Sequence, residues 1–200
     1  MKKKLCLALS GALCLSAGVG CGTETAEETL TPVRLNEVVH SVFYAPQYVA
    51  QELGFFEEEG LDVSVAVGNG ADKSMTALLS DSADIALLGT EAGLYVYAEG
   101  KADYPKTFAQ LTQRAGNFLV GRQPEDNFKW ESLKGKKVLG GRAGGMPQMV
   151  FEYILKKHGM DPKTDLSIDQ SINFGLTAAA FTSDDADYTV EFEPFATTLE

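Results

Sequence analysis

The chain has 200 residues, 44% of them hydrophobic, and carries 28 acidic against 17 basic side chains for a formal net charge of −11. This is enough apolar material for one good core or two small ones. No basic patch is available to grip a polyphosphate backbone by counterion release, which excludes nucleic acid as a partner. An acidic surface leaves an anionic ligand possible, because the local field inside a cleft decides what binds there.

The first twenty residues read as a targeting segment that stands outside the folded domain. Lys2, Lys3 and Lys4 form a positive n-region. Leu5 to Val19 form a small, apolar h-region, shorter than the roughly 20 residues of a membrane-spanning helix. Loss of the three lysines with the leader takes the net charge from −11 to −14. The leader runs out through Ala17-Gly18-Val19-Gly20-Cys21-Gly22, and small residues leading into a cysteine resemble a bacterial lipobox, with Cys21 as the lipidated mature N-terminus. Gly18 stands where that pattern usually has leucine, and an ordinary cleaved signal with an incidental cysteine is the alternative. Cys6 and Cys14 lie in the leader, so the mature chain keeps Cys21 alone, with no internal disulfide and no thiolate metal site. Residues 21–32 are polar and acidic around Glu24, Glu27 and Glu28 and suit a short tether.

From Val33 the pattern becomes regular. Val33–Val39 alternates and predicts a strand. Ala45, Tyr48, Val49 and Leu53 recur at helical spacing, with Pro46 in the first turn and Gly54 as the stop. Phe55 to Gly60 reads as one further turn, and Leu61–Val67 as a second strand. Gly68-Asn69-Gly70 is a loop before a helix over Ala71–Leu79. Asp84–Leu88 is short and almost wholly apolar, as a parallel strand covered on both faces should be. A helix over Ala92–Glu99 follows Gly89-Thr90-Glu91. This alternation predicts parallel βαβ units.

After Gly100 the character changes. Thr107–Gly121 reads as two extended segments broken near Gly116, and Asn127–Gly135 as a short helical turn around Trp130 and Leu133. A second set follows: strand Lys136–Leu139, helix Met146–His158, strand Leu166–Ile172, helix Leu176–Thr182 and strand Tyr188–Phe192. The organisation expected is a signal over 1–20, a tether over 21–32, a first lobe over 33–106, a crossover over 107–121 and a second lobe over 122–200. The run Thr197-Thr198-Leu199-Glu200 stops in mid-pattern, without capping glycine or polar tail, and is expected to be a C-terminal truncation.

The run FYAPQYVAQELGFFEEEGLDVSV, then ALLSDSADIALLG, LKGKKV and EFEPFA, resembles the substrate-binding proteins of bacterial ABC importers, in the nitrate/sulfonate/thiamine-precursor group called SsuA/THI5-like or NMT1-like. The resemblance covers Val33 to Glu200. It implies an α/β fold of the periplasmic binding protein type II kind, two α/β lobes with the ligand cleft between them. It also implies later segments that return to complete the first lobe, and an ABC permease with its ATPase as partners.

In open α/β sheets ligands lie beyond the carboxyl ends of the strands, and four loops qualify. After the first strand, His40 and Ser41 offer hydrogen bonds, and Phe43 or Tyr44 a flat face; the alternative is that Phe43 packs in the core and His40 is structural. In the second loop Asn69 and Gly70 are expected in the pocket. Asp72 is expected to cap the next helix, worth about 1 kcal/mol, with ligand contact as the alternative. Thr90 either caps its helix or cradles a ligand, and Glu91 either favours an amine-bearing ligand or only suits the helix dipole, worth about 0.3–1 kcal/mol. The fourth loop, Gly140 to Pro147, resembles the family's ligand-facing loop. Arg142 with the amides of Gly144 and Gly145 would grip an anion or carbonyl there. Its glycine spacing fits neither a dinucleotide fingerprint nor a P-loop. Asn173 and Glu193 complete the candidates, the latter in Glu191-Phe192-Glu193-Pro194, which resembles the family's Trp-Glu-Pro segment with Phe192 for tryptophan.

No nucleophile, base and acid constellation is legible, His40 and His158 are the chain's two histidines, and nothing has metal-ligand spacing. The sequence therefore reads as a non-enzymatic binding protein without cofactor or metal: exported, monomeric and held to the outer face of the membrane by lipid on Cys21, or free in the periplasm. Its ligand is a sulfonate, nitrate or a pyrimidine of the thiamine-precursor kind. A thiamine-pyrimidine synthase of the same superfamily and a ligand-sensing clamp for a membrane receptor are the alternatives.

Overall fold

The computed structural model describes residues 29–200 except 115 and 184. The expected signal segment and Cys21 lie outside the described residues. Two sheets organise the chain. The first is parallel, in the order β2-β1-β3, from β1 (Thr31–Glu37), β2 (Leu61–Val67) and β3 (Ile85–Leu87). A 3-10 turn at Val42–Tyr44 leads into α1 (Ala45–Glu52), with Pro46 in its first turn, and α2 (Phe55–Glu58) follows. Beyond β2 come α3 (Ala71–Leu79) and, after β3, α4 (Thr90–Ala98).

The second sheet is mixed, in the order β4-β7-β5-β6. Its strands are β4 (Asn117–Gly121), β5 (Lys137–Leu139), β6 (Ser167–Asp169) and β7 (Tyr188–Phe192). Only β4 runs antiparallel, against β7; β5 pairs in parallel with both β6 and β7. The long helix α5 (Met146–Lys157) joins β5 to β6, and α6 (Thr177–Ser183) joins β6 to β7. Every residue of β7 is buried, as a central strand covered on both faces requires.

Several expected bounds shift for physical reasons. α4 starts at Thr90 rather than Ala92, because Gly89 takes the cap position and Thr90 and Glu91 enter the first turn. Of the two extended segments expected over Thr107–Gly121, only Asn117–Gly121 finds a ladder partner, and that partner is in the second sheet. The stretch before it has no strand to pair with and runs irregularly. β6 shrinks from the expected Leu166–Ile172 to Ser167–Asp169, since it is an edge strand paired on one side with the three residues of β5.

The second lobe holds the larger core. Leu133, Val138, Phe151, Leu155, Met160, Leu166, Tyr188 and Val190 form one buried cluster. Leu155 is wholly buried on the inner face of α5. Leu155→Ala should destabilise the protein by about 2–5 kcal/mol through lost transfer energy and the cavity left behind. Chemical denaturation checks this, and a loss below about 1 kcal/mol would contradict the core assignment.

A smaller cluster joins the two lobes: Val39 and Tyr44 from the first meet Phe174 and Phe192 from the second, with Phe43 and Leu87 packed against them. This cluster borders a gap between the two lobes.

Candidate functional site

The gap is a cavity of about 650 Å³, within the range of small-molecule sites. The first lobe contributes the loop after β1, the starts of α3 and α4 and the end of β3; the second contributes Arg142, the start of α5, Phe174 and Phe192. The irregular stretch Thr107–Arg114 forms a further wall.

One side of this cavity is aromatic. The Phe43 and Phe192 rings lie 5.5 Å apart and Phe174 and Phe192 5.1 Å apart, a continuous apolar surface built from both lobes. Phe108 also lines the cavity and is 78% exposed, so its face is open to a ligand. The polar side is set by Glu91. Burial pushes its carboxyl above the usual carboxylate range, while the amides of Glu91 and Met146 partly offset that push. Gly89 makes its position possible, since a Cβ there would lie 2.0 Å from Oε2 of Glu91.

Across the cleft mouth the lobes are bonded to one another. Arg142 donates from Nε and Nη2 to the two carboxylate oxygens of Asp72, both at 2.6 Å. Its third nitrogen, Nη1, donates to Oδ1 of Asn173 at 3.3 Å. Lys73 donates to the same Asn173 oxygen at 3.0 Å, and the Phe174 amide to the Asn69 carbonyl at 3.3 Å. The Ser41 hydroxyl donates to the carbonyl of Glu193. Close approach here needs glycine: a Cβ on Gly70 would meet Cδ of Arg142 at 2.6 Å.

Of the candidate residues, Phe43, Tyr44, Gly70, Thr90, Glu91, Arg142 and Gly145 line the cavity. Ser41, Asn69, Asn173 and Glu193 sit in the seam between lobes. Glu193 also accepts from the amide and hydroxyl of Thr197. His40 lies outside the lining, exposed, with Nδ1 bonded to the buried Glu37 at 3.0 Å. Gly144 gives its amide to the side chain of Gln148. Asp72 does not cap α3: Gly70 holds that position, and Asp72, already inside the first turn, turns its carboxylate to Arg142. That pairing also changes the reading of Arg142, whose guanidinium is engaged by a carboxylate of the same chain.

Phe174, Phe192 and Met146, which belong to the candidate segments without being singled out as contacts, also line the cavity, and the Thr107–Arg114 wall was missed from the sequence. For Phe192 the resemblance to the Trp-Glu-Pro segment was a usable signal. The irregular wall offers none. Among the described residues no group of three or more histidine, cysteine and acidic side chains is placed to hold a metal, and no helix is long and apolar enough to cross a membrane.

Two α/β lobes with a cleft between them define the class: this is the periplasmic binding protein fold. The chain belongs to the NMT1/THI5-like family, whose model matches residues 42–197. It is 54% identical over 174 residues to the Bacillus subtilis (strain 168) protein named "Putative binding protein YtlA", a match covering 87% of this chain and 52% of that protein. Among solved structures it is similar to the periplasmic nitrate-binding protein NrtA from Synechocystis PCC 6803, with a TM-score of 0.67, 21% identity and coverage of 85% of this chain and 49% of that one. A more distant likeness, 26% identity over 125 residues, joins it to the 4-amino-5-hydroxymethyl-2-methylpyrimidine phosphate synthase THI11 of Saccharomyces cerevisiae, over 60% of this chain and 35% of the enzyme. The chain spans about half the length of the YtlA and NrtA proteins it matches.

Proposed function

We propose that the protein is an extracytoplasmic solute-binding protein that captures a small molecule in the interlobe cleft and delivers it to the permease and ATPase of an ABC importer. The observation that carries this reading is the cavity of about 650 Å³ whose walls come from both lobes. A ligand that touches both lobes favours the closed state and so draws the population toward it. The expected leader and Cys21 support export and a lipid anchor, with the monomer as the working unit. The sequence resemblance supports a ligand among sulfonates, nitrate and pyrimidines.

The likeness to a pyrimidine phosphate synthase favours catalysis as the second reading. Native mass spectrometry of protein purified without unfolding separates the two. A 1:1 small molecule that is recovered unchanged after prolonged incubation is expected. Recovery of a chemically converted compound would favour the synthase, and a protein that never carries a small molecule would overturn the capture role.

A further inference from the structure

Glu91 is 3% exposed, and neither of its carboxylate oxygens has a hydrogen-bond partner among the described residues. A buried carboxylate in that state has given up water, and the pull of the Glu91 and Met146 amides offsets that loss only in part. Two arginines share the cavity lining with it, and neither bonds to it. Arg142 is held by both oxygens of Asp72. Arg114 is exposed on the irregular wall, where water and salt screen its charge.

The remaining large surfaces of the cavity are aromatic: Phe43, Tyr44, Phe108, Phe174 and Phe192. Glu91 lies close enough to this wall for its charge to act on Tyr44. Burial first, and then the charges of Glu37, Tyr48 and Glu91, hold the Tyr44 hydroxyl protonated well above its ordinary range.

A buried carboxylate in a cavity lined by aromatic rings is the combination that recognises positive charge. The geometry points to a small organic cation, a protonated amine, amidine or guanidinium group on a compact or flat carbon frame, as the ligand of this cleft. The assignment rests on the cleft being the ligand site, as proposed above. Its N–H groups donate charge-assisted hydrogen bonds to the two free oxygens of Glu91. Phe or Tyr faces add the attraction of their quadrupoles for a cation. A cavity of about 650 Å³ has room for more than the charged group alone, so the ligand carries an apolar or aromatic substituent along the Phe43 to Phe174 wall. An anion placed at the same point would meet Glu91 with no water between them, and would find Arg142 already taken.

The test is calorimetric titration of the protein with benzamidinium, phenethylammonium and guanidinium chlorides, beside sodium nitrate and sodium ethanesulfonate. At least one cation is expected to bind saturably at 1:1. Glu91→Gln should weaken that binding by about 10–100-fold, the loss of a charge-assisted pair. The same variant, free of ligand, should melt about 2–4 °C higher, because an uncompensated buried charge has been removed. That rise shows that the variant folds and separates a lost ligand contact from a lost structure. Saturable binding of nitrate or ethanesulfonate with no binding of the three cations would overturn the cation assignment, as would cation affinity unchanged by Glu91→Gln. Either result leaves the capture role standing, whereas a natively purified protein that never carries a small molecule fails that role instead.

Discussion

Arg142→Ala is expected to weaken ligand capture by about 5–30-fold, and to do so by letting the cleft open. The guanidinium bonds Asp72 at two points, each 2.6 Å, and reaches Asn173 with its third nitrogen. Asp72 belongs to the first lobe and Arg142 to the second, so the two bonds between them exist only while the lobes are together, whereas the bond to Asn173 lies within the second lobe. The pair is partly exposed, 21% for the Arg142 side chain and 43% for Asp72. Solvent screening therefore holds its worth to about 1–2 kcal/mol, which is the 5–30-fold given above. A closed state that is less populated in the free protein lowers the apparent affinity by the same factor.

A latch and a ligand clamp predict opposite results for the partner residue. If Arg142 closes the cleft, Asp72→Ala weakens capture as much as Arg142→Ala does, and the double variant adds little. If Arg142 instead grips an anion, Asp72→Ala frees it and anion binding tightens. Spin labels on the exposed positions Asp62 and Lys163 read the same event as a longer interlobe distance in both single variants. Arg142 holds the Asp72 carboxyl below the usual carboxylate range. The folded value is depressed, so the pair's contribution is present above the unfolded value of about 4 and is lost as pH falls through the depressed one. The latch should hold at neutral pH and release in acid.

The second large effect is expected at Glu191. This residue lies on the fully buried strand β7 and is 0% exposed; Thr189 donates to Oε1 at 2.9 Å, and Oε2 has no partner among the described residues. Burial pushes its carboxyl up to about 7. Because the folded value is raised, the native state holds the proton more tightly than the unfolded chain does. Stability should therefore fall as pH rises from about 4.5 through 7, and the ionised group costs roughly 3 kcal/mol above that window. Glu191→Gln should raise stability at pH 8 by about 1–3 kcal/mol and flatten the slope between pH 5 and 7. Denaturant melts across that range measure both, and a variant less stable than the parent at pH 8 would refute the reading of Glu191 as an unpaired buried acid.

What the sequence shows of this fold follows from range. Leu61–Val67 and Ala71–Leu79 form where local alternation and helical spacing place them, and Tyr188–Phe192 does likewise. In these segments the residues that determine the element are its own. Where the deciding partner is distant, the pattern is silent. Asp72 carries a local signal for a helix cap, yet its carboxylate goes to a residue seventy positions away. Ser41 and Glu193 look like ligand contacts taken singly and become a seam only when the lobes meet. The Thr107–Arg114 wall reads as extended chain, yet it finds no ladder partner among the described residues and so forms no strand. Glu91 is the informative case: an acid in a helix's first turn suits the dipole on any surface, and only its burial without a partner marks it as part of the site.

The central claim is that the two lobes close together on one small molecule. Hydrogen–deuterium exchange with and without the compound retained by the natively purified protein tests it most directly. Slower exchange is expected at once in residues 40–48, 68–75 and 87–92 of the first lobe and in residues 140–148 and 171–176 of the second. Protection confined to one lobe, or located away from the cleft, would contradict the claim.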